Sequence, residues 1–175
     1  GKSQTVVLPT AANFKRYLIF IMPKLILVGI QTLKGHKRKV GVVKFHPLVE
    51  NVIATAGQDY EVRVWDVETG SSKFVTPGHT NIIQSLDWNY DGSLLCSNAK
   101  DKKVRIIDPR QQTVAAEGNS HVGVKGGRAL WLGKHDKVVS VGFGSGASRE
   151  YMIWDPKNMS APLVKQTLDN AAGVI

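Results

Sequence analysis

The chain repeats itself, and the period limits what it can fold into more than any local pattern does. Gly35-His36 returns as Gly78-His79, 43 residues on, and Phe45, Trp88 and Trp131 keep that same spacing. Asp59 returns as Asp101, and Trp65-Asp66 as Ile107-Asp108, each after 42 residues. A third copy runs from His121 to Trp154-Asp155, its last step stretched to 47 residues by the GFGSGAS segment. A period of this length means one supersecondary unit per copy, which buries its apolar face only by stacking on neighbours. Each unit reads as strands. VGVVKF, NVIATA and EVRVWD are short runs rich in Val, Ile and aromatics, set apart by HP, GQD and ETG turns. IIQSLDW, SLLCSNA and KVRIID repeat the pattern around an Asp91-Gly92 turn, and no stretch shows a capped 3.6-residue apolar period.

A period near 42, a Gly-His opening and a Trp-Asp close are the marks of WD repeats, in which each copy forms a four-stranded antiparallel blade of a β-propeller. The expected fold is all-β, a WD-repeat β-propeller with only about three to three and a half blades, an incomplete ring. The blades are expected near residues 33–75, 76–118 and 119–165, with the start of the next at 166–175. An open arc leaves unpaired edges and an uncovered apolar flank, so the isolated chain is expected to self-associate.

Residues 1–32 are an apolar lead that does not match the repeat. The run YLIFIMPKLILVGI, Tyr17 to Ile30, is the most apolar in the chain. It falls short of the roughly 20 residues of a spanning helix and is broken by Pro23 and Lys24. It lacks the position and cleavage site of a signal peptide. Buried strands, an interfacial segment and a stretch foreign to the fold, such as an altered splice, all stay open. Opening on Gly1 rather than Met suits a processed or truncated product.

The 175 residues suit about one domain, and 42% hydrophobic with 21% charged residues excludes a disordered chain. A single cysteine, Cys96, excludes an intrachain disulfide framework and a thiolate-rich zinc site, and fits a reducing compartment. The net charge of +9 favours an anionic partner without choosing among acidic protein, phosphoinositide and nucleic acid.

His, Asp and Ser/Thr recur in every copy and invite a hydrolase reading. Recurrence argues against it, since an enzyme needs one such site and not a series. In WD repeats, which this chain resembles, these positions form a buried chain in which Trp donates to the hydroxyl, the hydroxyl meets His, and His meets the turn Asp. The resemblance places His36, Thr55, Asp59 and Trp65 in the first network and His79, Ser97 and Asp101 in the second, where Ile107 replaces the Trp. The third would hold Ser140 and Trp154 with His121 in the His slot, but Ser148 stands where Asp belongs. That blade is therefore expected to be the least tightly pinned.

Other motifs are weak. Gly142, Gly144 and Gly146 suggest a phosphate loop, but position 147 is Ala and no helix follows. Cys96 lies mid-strand and reads as an inert buried thiol. His46 and His135 are isolated loop residues with no partner at metal-ligand spacing, so neither metal nor cofactor is expected. Two basic clusters stand out: Lys34, Lys37, Arg38 and Lys39 around Gly35-His36, and Lys100, Lys102, Lys103 and Arg105 around Asp101. Both surround loops expected at the same end of adjacent blades, forming a candidate anion-binding rim. No RNA-binding signature accompanies them, so no specific nucleic acid is expected.

More narrowly, KGHKRKVGVVKFHP, DGSLLCSNAKDKKVRIIDPR and MIWDPKNMSAPL resemble the coronins, with Ile in the Trp slot of a DKKVRIIDPR ending as the most specific feature. The similarity runs from about Leu33 to Ile175. It implies a non-enzymatic, actin-filament-binding scaffold at the cytoplasmic cell cortex, linked in part to the actin-nucleating complex. The family's seven-bladed propeller and oligomerising coiled coil imply that this chain is a fragment or aberrant product, with the coiled coil absent. The alternative is a WD-repeat scaffold for another anionic partner, a phosphoinositide membrane surface or a ribonucleoprotein.

Overall fold

A computed structural model describes residues 5–9, 30–76, 78–123 and 125–170. Its first element, β1 (Thr5–Pro9), pairs antiparallel with β2 (Ile30–Lys34), Thr5 opposite Lys34 and Pro9 opposite Ile30. Apart from Ile30, the apolar run from Tyr17 lies outside the described residues. Three four-stranded antiparallel sheets follow, each in simple chain order. The first holds β3 (Val40–Phe45), β4 (Val52–Gly57), β5 (Val62–Asp66) and β6 (Ser71–Val75). The second holds β7 (Ile83–Trp88), β8 (Leu95–Ala99), β9 (Lys103–Asp108) and β10 (Thr113–Asn119). The third holds β11 (Arg128–Trp131), β12 (Val138–Phe143), β13 (Arg149–Trp154) and β14 (Val164–Asp169). The outer strand pair of each four-stranded sheet is bulged, at Val64/Trp65 and Val114/Ala116 in matching repeat positions and at Arg149/Glu150 at the opposite end of its strand. A bulge adds local twist, and repeated twist lets sheets fan around an axis.

The sheets pack face to face, because alternate side chains of every strand point to opposite neighbours. Ala54, Val64 and Phe74 of the first sheet meet Ile83, Leu86, Leu95 and Ile107 of the second, all buried. Cys96, Val104 and Ile106 meet Ala129, Val138, Met152 and Trp154 across the next seam. Leu33 of β2 closes over Ile53, Trp65 and Val67. That seats the β1–β2 ladder against the first sheet, with β2 leading into Gly35-His36 as β6 leads into Gly78-His79.

Polar contacts between inner strands fix the spacing. Ser85 Oγ and Asp87 Oδ2 on β7 accept from the backbone N–H groups of Ala129 and Trp131 at 2.7 and 3.1 Å. Trp88 Nε1 donates to the Lys44 carbonyl. His46, read as an isolated loop residue, is a staple between the first two sheets. Its Nδ1 accepts from the Leu48 and Val49 N–H groups, so Nε2 carries the proton and donates to Gly92 O at 3.0 Å. Gly92 is in the left-handed region (φ +74°), and a Cβ there would lie 2.0 Å from the imidazole. The first sheet itself exposes apolar side chains: Phe45 of β3 is 60% exposed, Val43 of the same strand is exposed too, and Leu48 and Val49 follow in the next loop.

Candidate functional site

Each sheet presents two loops at one end: the loop entering its inner strand, and the turn between its second and third strands. In the first sheet Lys37 N–H donates to Asp59 Oδ2 at 2.7 Å, joining loop to turn. Behind that contact His36 lies between Asp59, 3.0 Å from Nδ1, and Thr55 Oγ1, 2.7 Å from Nε2. Trp65 Nε1 donates to the same hydroxyl at 2.8 Å. His36, Thr55 and Trp65 are buried. Burial alone would raise the Asp59 carboxyl, but the Lys37 N–H and His36 outweigh it and hold it below the usual carboxylate range. Gly35 is forced by packing, since a Cβ there would lie 2.7 Å from Arg63 Nη1 and 2.8 Å from Trp65 Cη2.

The second sheet departs from the expected chain. His79 Nε2 meets Ser97 Oγ at 2.9 Å, but His79 Nδ1 is buried without a hydrogen-bond partner. Asp101 pairs instead with Arg105, Nη2 to Oδ2 at 2.8 Å, and accepts from Thr80 N–H at 3.2 Å. Arg105, read as a surface cation, is only 2% exposed. It also donates to Gly78 O at 3.0 Å and has Nε 3.3 Å from Glu117 Oε2. The slot vacated by Trp is filled by Ile107, buried in the seam, so Ser97 has lost its indole donor. Burial, with Arg105 close by, pushes His79 down to about 4, so it is neutral at pH 7. Despite its burial, Asp101 stays below the usual carboxylate range because Arg105 and backbone N–H groups stabilise its charge.

In the third sheet the expectation of a missing acid is overturned. His121 Nδ1 meets Glu150 Oε1 at 2.9 Å, Nε2 meets Ser140 Oγ at 3.0 Å, and Trp154 Nε1 donates to that hydroxyl at 2.8 Å. Ser148 lies outside this network; its hydroxyl donates to Ser145 O within the inserted turn, a single 3₁₀ turn at Ser145–Ala147. The insertion displaces the turn, and the acid comes from β13 itself, four residues before Trp154. The first sheet holds Glu61 at the same distance from Trp65, so the signal was present in the sequence. Glu150 also pairs with Lys165 at 3.2 Å. The third sheet is therefore fully pinned, and the second is the defective one.

No catalytic geometry emerges from these networks. Both nitrogens of His36 and His121 are committed, and every hydroxyl lies in the interior. His36, Asp59 and Glu61 bring ligand-capable atoms within 4.8 Å of one another. Glu61 is engaged by Arg63 at 2.7 Å and Asp59 by His36, so the group is accounted for as structure. Cys96 is buried, which pushes its thiol well up and leaves it unreactive. Gly146 turns at φ +74° within the insertion, with no helix after it to hold a phosphate.

Of the two basic clusters, Lys34, Lys37, Arg38, Lys39, Lys100 and Lys102 are exposed, and none meets a carboxylate among the described residues. Arg105 is interior, and Lys103 is engaged by Glu117. Lys37 follows His36 on the loop, and Lys100 and Lys102 flank Asp101 on the turn. The Thr80 N–H to Asp101 contact joins loop and turn in the second sheet as Lys37 N–H to Asp59 does in the first.

The model of the WD domain, G-beta repeat, matches residues 28–66 and 70–108. Coronin-like protein crn1 of Schizosaccharomyces pombe is 40% identical over 147 residues, 83% of this chain and 24% of that protein. Human Coronin-2A is 37% identical, over 90% of this chain and 32% of its own length. Coronin-A of Dictyostelium discoideum is 42% identical, over 84% and 44%. Among solved structures, the WD40 domain of Toxoplasma gondii coronin superposes with a TM-score of 0.77 at 29% identity, covering 81% of this chain and 37% of that one. The chain thus spans less than half the length of each of these relatives. Repeat pattern, sheet order and relatives agree that, over the part it spans, this chain belongs to the coronin family of WD40-repeat proteins.

Proposed function

We propose that residues 33–175 are an arc of a non-catalytic coronin-type propeller that binds actin filaments in the cytoplasmic cortex through its loop end. The observation that carries this reading is the set of exposed cations Lys34, Lys37, Arg38, Lys39, Lys100 and Lys102, all on or beside the loops and turns of two adjacent sheets and with no carboxylate partner among the described residues. A filament with a net acidic surface meets such a rim through salt-sensitive contacts, each worth about 0.2–1 kcal/mol. No single lysine dominates. The first two networks serve as mounts, since Asp59 ties the first sheet's entry loop to its turn through His36 and the Lys37 N–H, and Asp101 does so in the second through Arg105 and the Thr80 N–H.

Co-sedimentation with actin filaments tests the reading. Reversing Lys37, Arg38, Lys100 and Lys102 together to Glu within a complete coronin propeller should weaken binding well beyond any single reversal. Raising salt should mimic the effect in the parent. Unchanged affinity with the fold intact would reduce this rim to ordinary solvated surface.

A further inference from the structure

We infer that Glu117 is an acidic restraint built into the loop-end rim, holding Lys103 out of the set of cations that the rim offers a filament. What the rim binds rests on the filament reading above; what Glu117 does rests on its own contacts. The rim's exposed cations meet no carboxylate among the described residues. Lys103, its side chain 37% exposed, is the one lysine of the two clusters that does. The acid is not part of the repeat. At the matching place, opposite Arg63, the first sheet carries Val75, and opposite Met152 the third carries Lys165.

Lys103, Arg105 and Ile107 alternate along β9, and Ile107 packs in the seam with the first sheet, so Lys103 projects towards the sheet that carries the other cluster. Glu117 stands directly opposite Arg105 on β10, and Lys103 lies one step along the same face. The two carboxylate oxygens are divided between them. Oε2 is 3.3 Å from Arg105 Nε, and Oε1 accepts from Lys103 Nζ. Arg105 is itself fixed, being buried, paired with Asp101 and donating to Gly78 O. A surface ion pair is ordinarily weak because two mobile side chains must be held together. Here the buried guanidinium has already oriented the carboxylate, and only Lys103 is left to be ordered. Lys103 and Arg105 hold the Glu117 carboxyl below the usual carboxylate range, so it is charged at neutral pH.

The test joins per-lysine acylation of the whole 175-residue chain to filament co-sedimentation. An amine held by a carboxylate stays protonated and acylates slowly. With N-hydroxysuccinimidyl acetate at low conversion, read by mass spectrometry, Lys103 should react several-fold more slowly than Lys102, and Glu117→Gln should bring it level. Gln keeps an oxygen for Arg105, so the fold is retained. In co-sedimentation Glu117→Gln should bind about two- to fivefold tighter, the span of one exposed ion contact, and lose more on raising salt. Glu68→Gln makes the same change in net charge on the exposed turn at the opposite end of the first sheet, and should stay at the parent affinity. Adding Lys103→Gln to Glu117→Gln should return binding to the parent. Lys103 as reactive as Lys102 in the parent would overturn the inference. So would Glu117→Gln binding no tighter than Glu68→Gln while the fourfold reversal of the rim does weaken binding. Failure of the filament reading looks different: that reversal leaves co-sedimentation unchanged, and the acylation contrast still decides whether Glu117 covers Lys103.

Discussion

In the third sheet His121 is held on both sides, by Ser140 and by Glu150, and Trp154 closes the chain. In the second His79 reaches Ser97 alone, and the acid that should meet it has been captured by Arg105 four residues on. Both sheets join an entry loop to the interior, but the third does so with a satisfied neutral-to-acidic chain and the second with a buried ion pair beside an orphaned imidazole nitrogen. A satisfied network stabilises cooperatively, while a buried ion pair must first offset the cost of removing two charges from water. The difference makes the second sheet the place where stability is most exposed to charge changes.

The largest effect should come from Asp101→Ala. It leaves the Arg105 guanidinium buried with only the Gly78 carbonyl and the more distant Glu117, a loss of about 3–5 kcal/mol. Adding Arg105→Met, the residue type that the third sheet carries at the equivalent position as Met152, should recover most of it. Urea unfolding followed by tryptophan fluorescence reads both, since Trp65 and Trp154 are buried in the flanking networks. A single variant as mild as the double would mean that the ion pair does not hold the second sheet.

Acid should separate the sheets next. His79 is held at about 4 in the fold against 6.5 when unfolded, so between those values the unfolded chain binds a proton that the folded one refuses. Stability from this group is therefore full above pH 6.5 and declines as pH falls towards 4, by on the order of 3 kcal/mol. Asp101, lowered in the fold, adds a further loss only below its unfolded value of 3.8. His79→Gln should flatten the decline between pH 6.5 and 4. Hydrogen exchange of β8 and β9 amides should rise over the same range before that of β4 and β5, and simultaneous exposure of all four strands would contradict a local origin.

The architecture was legible in the sequence because it is periodic: Gly-His, Trp-Asp and a spacing near 42 place strands, turns and sheet order without reference to any distant contact. The first network was legible for the same reason, since every member sits at its repeat position. The defects were not. Nothing in the spacing distinguishes a surface Arg105 from one that folds under its own turn, because the choice depends on the carboxylates that the fold brings within its reach, Asp101 and Glu117. The staple made by His46 was invisible too, as its acceptor, Gly92 O, lies 46 residues away on a neighbouring sheet. Glu150 was missed by counting back from Trp154 to Ser148 as though the inserted turn kept the geometry of its shorter counterparts. Charge clusters, finally, are compositional, and only structure separates Lys100 and Lys102 from Lys103, which pairs with Glu117, and from Arg105, which is buried.

Glu150 and Ser148 give the finest discrimination between the two ways of supplying an acid to the third sheet. Glu150→Ala should cost about 1–3 kcal/mol, since it leaves His121 Nδ1 buried without a partner. Glu150→Gln should recover part of this, because an amide oxygen can still accept from the imidazole although the pair with Lys165 loses its charge. Ser148→Ala removes only a hydroxyl bonded to Ser145 O in an exposed turn, and should stay within about 0.5 kcal/mol of the parent. The combination of Glu150→Ala with Ser148→Ala should equal the sum of the two, as the side chains share no hydrogen-bond partner. Unfolding midpoints of the four variants give this cycle directly. If Ser148→Ala matched Glu150→Ala, or if the pair coupled by more than about 0.5 kcal/mol, the acid of this sheet would be supplied through the turn after all.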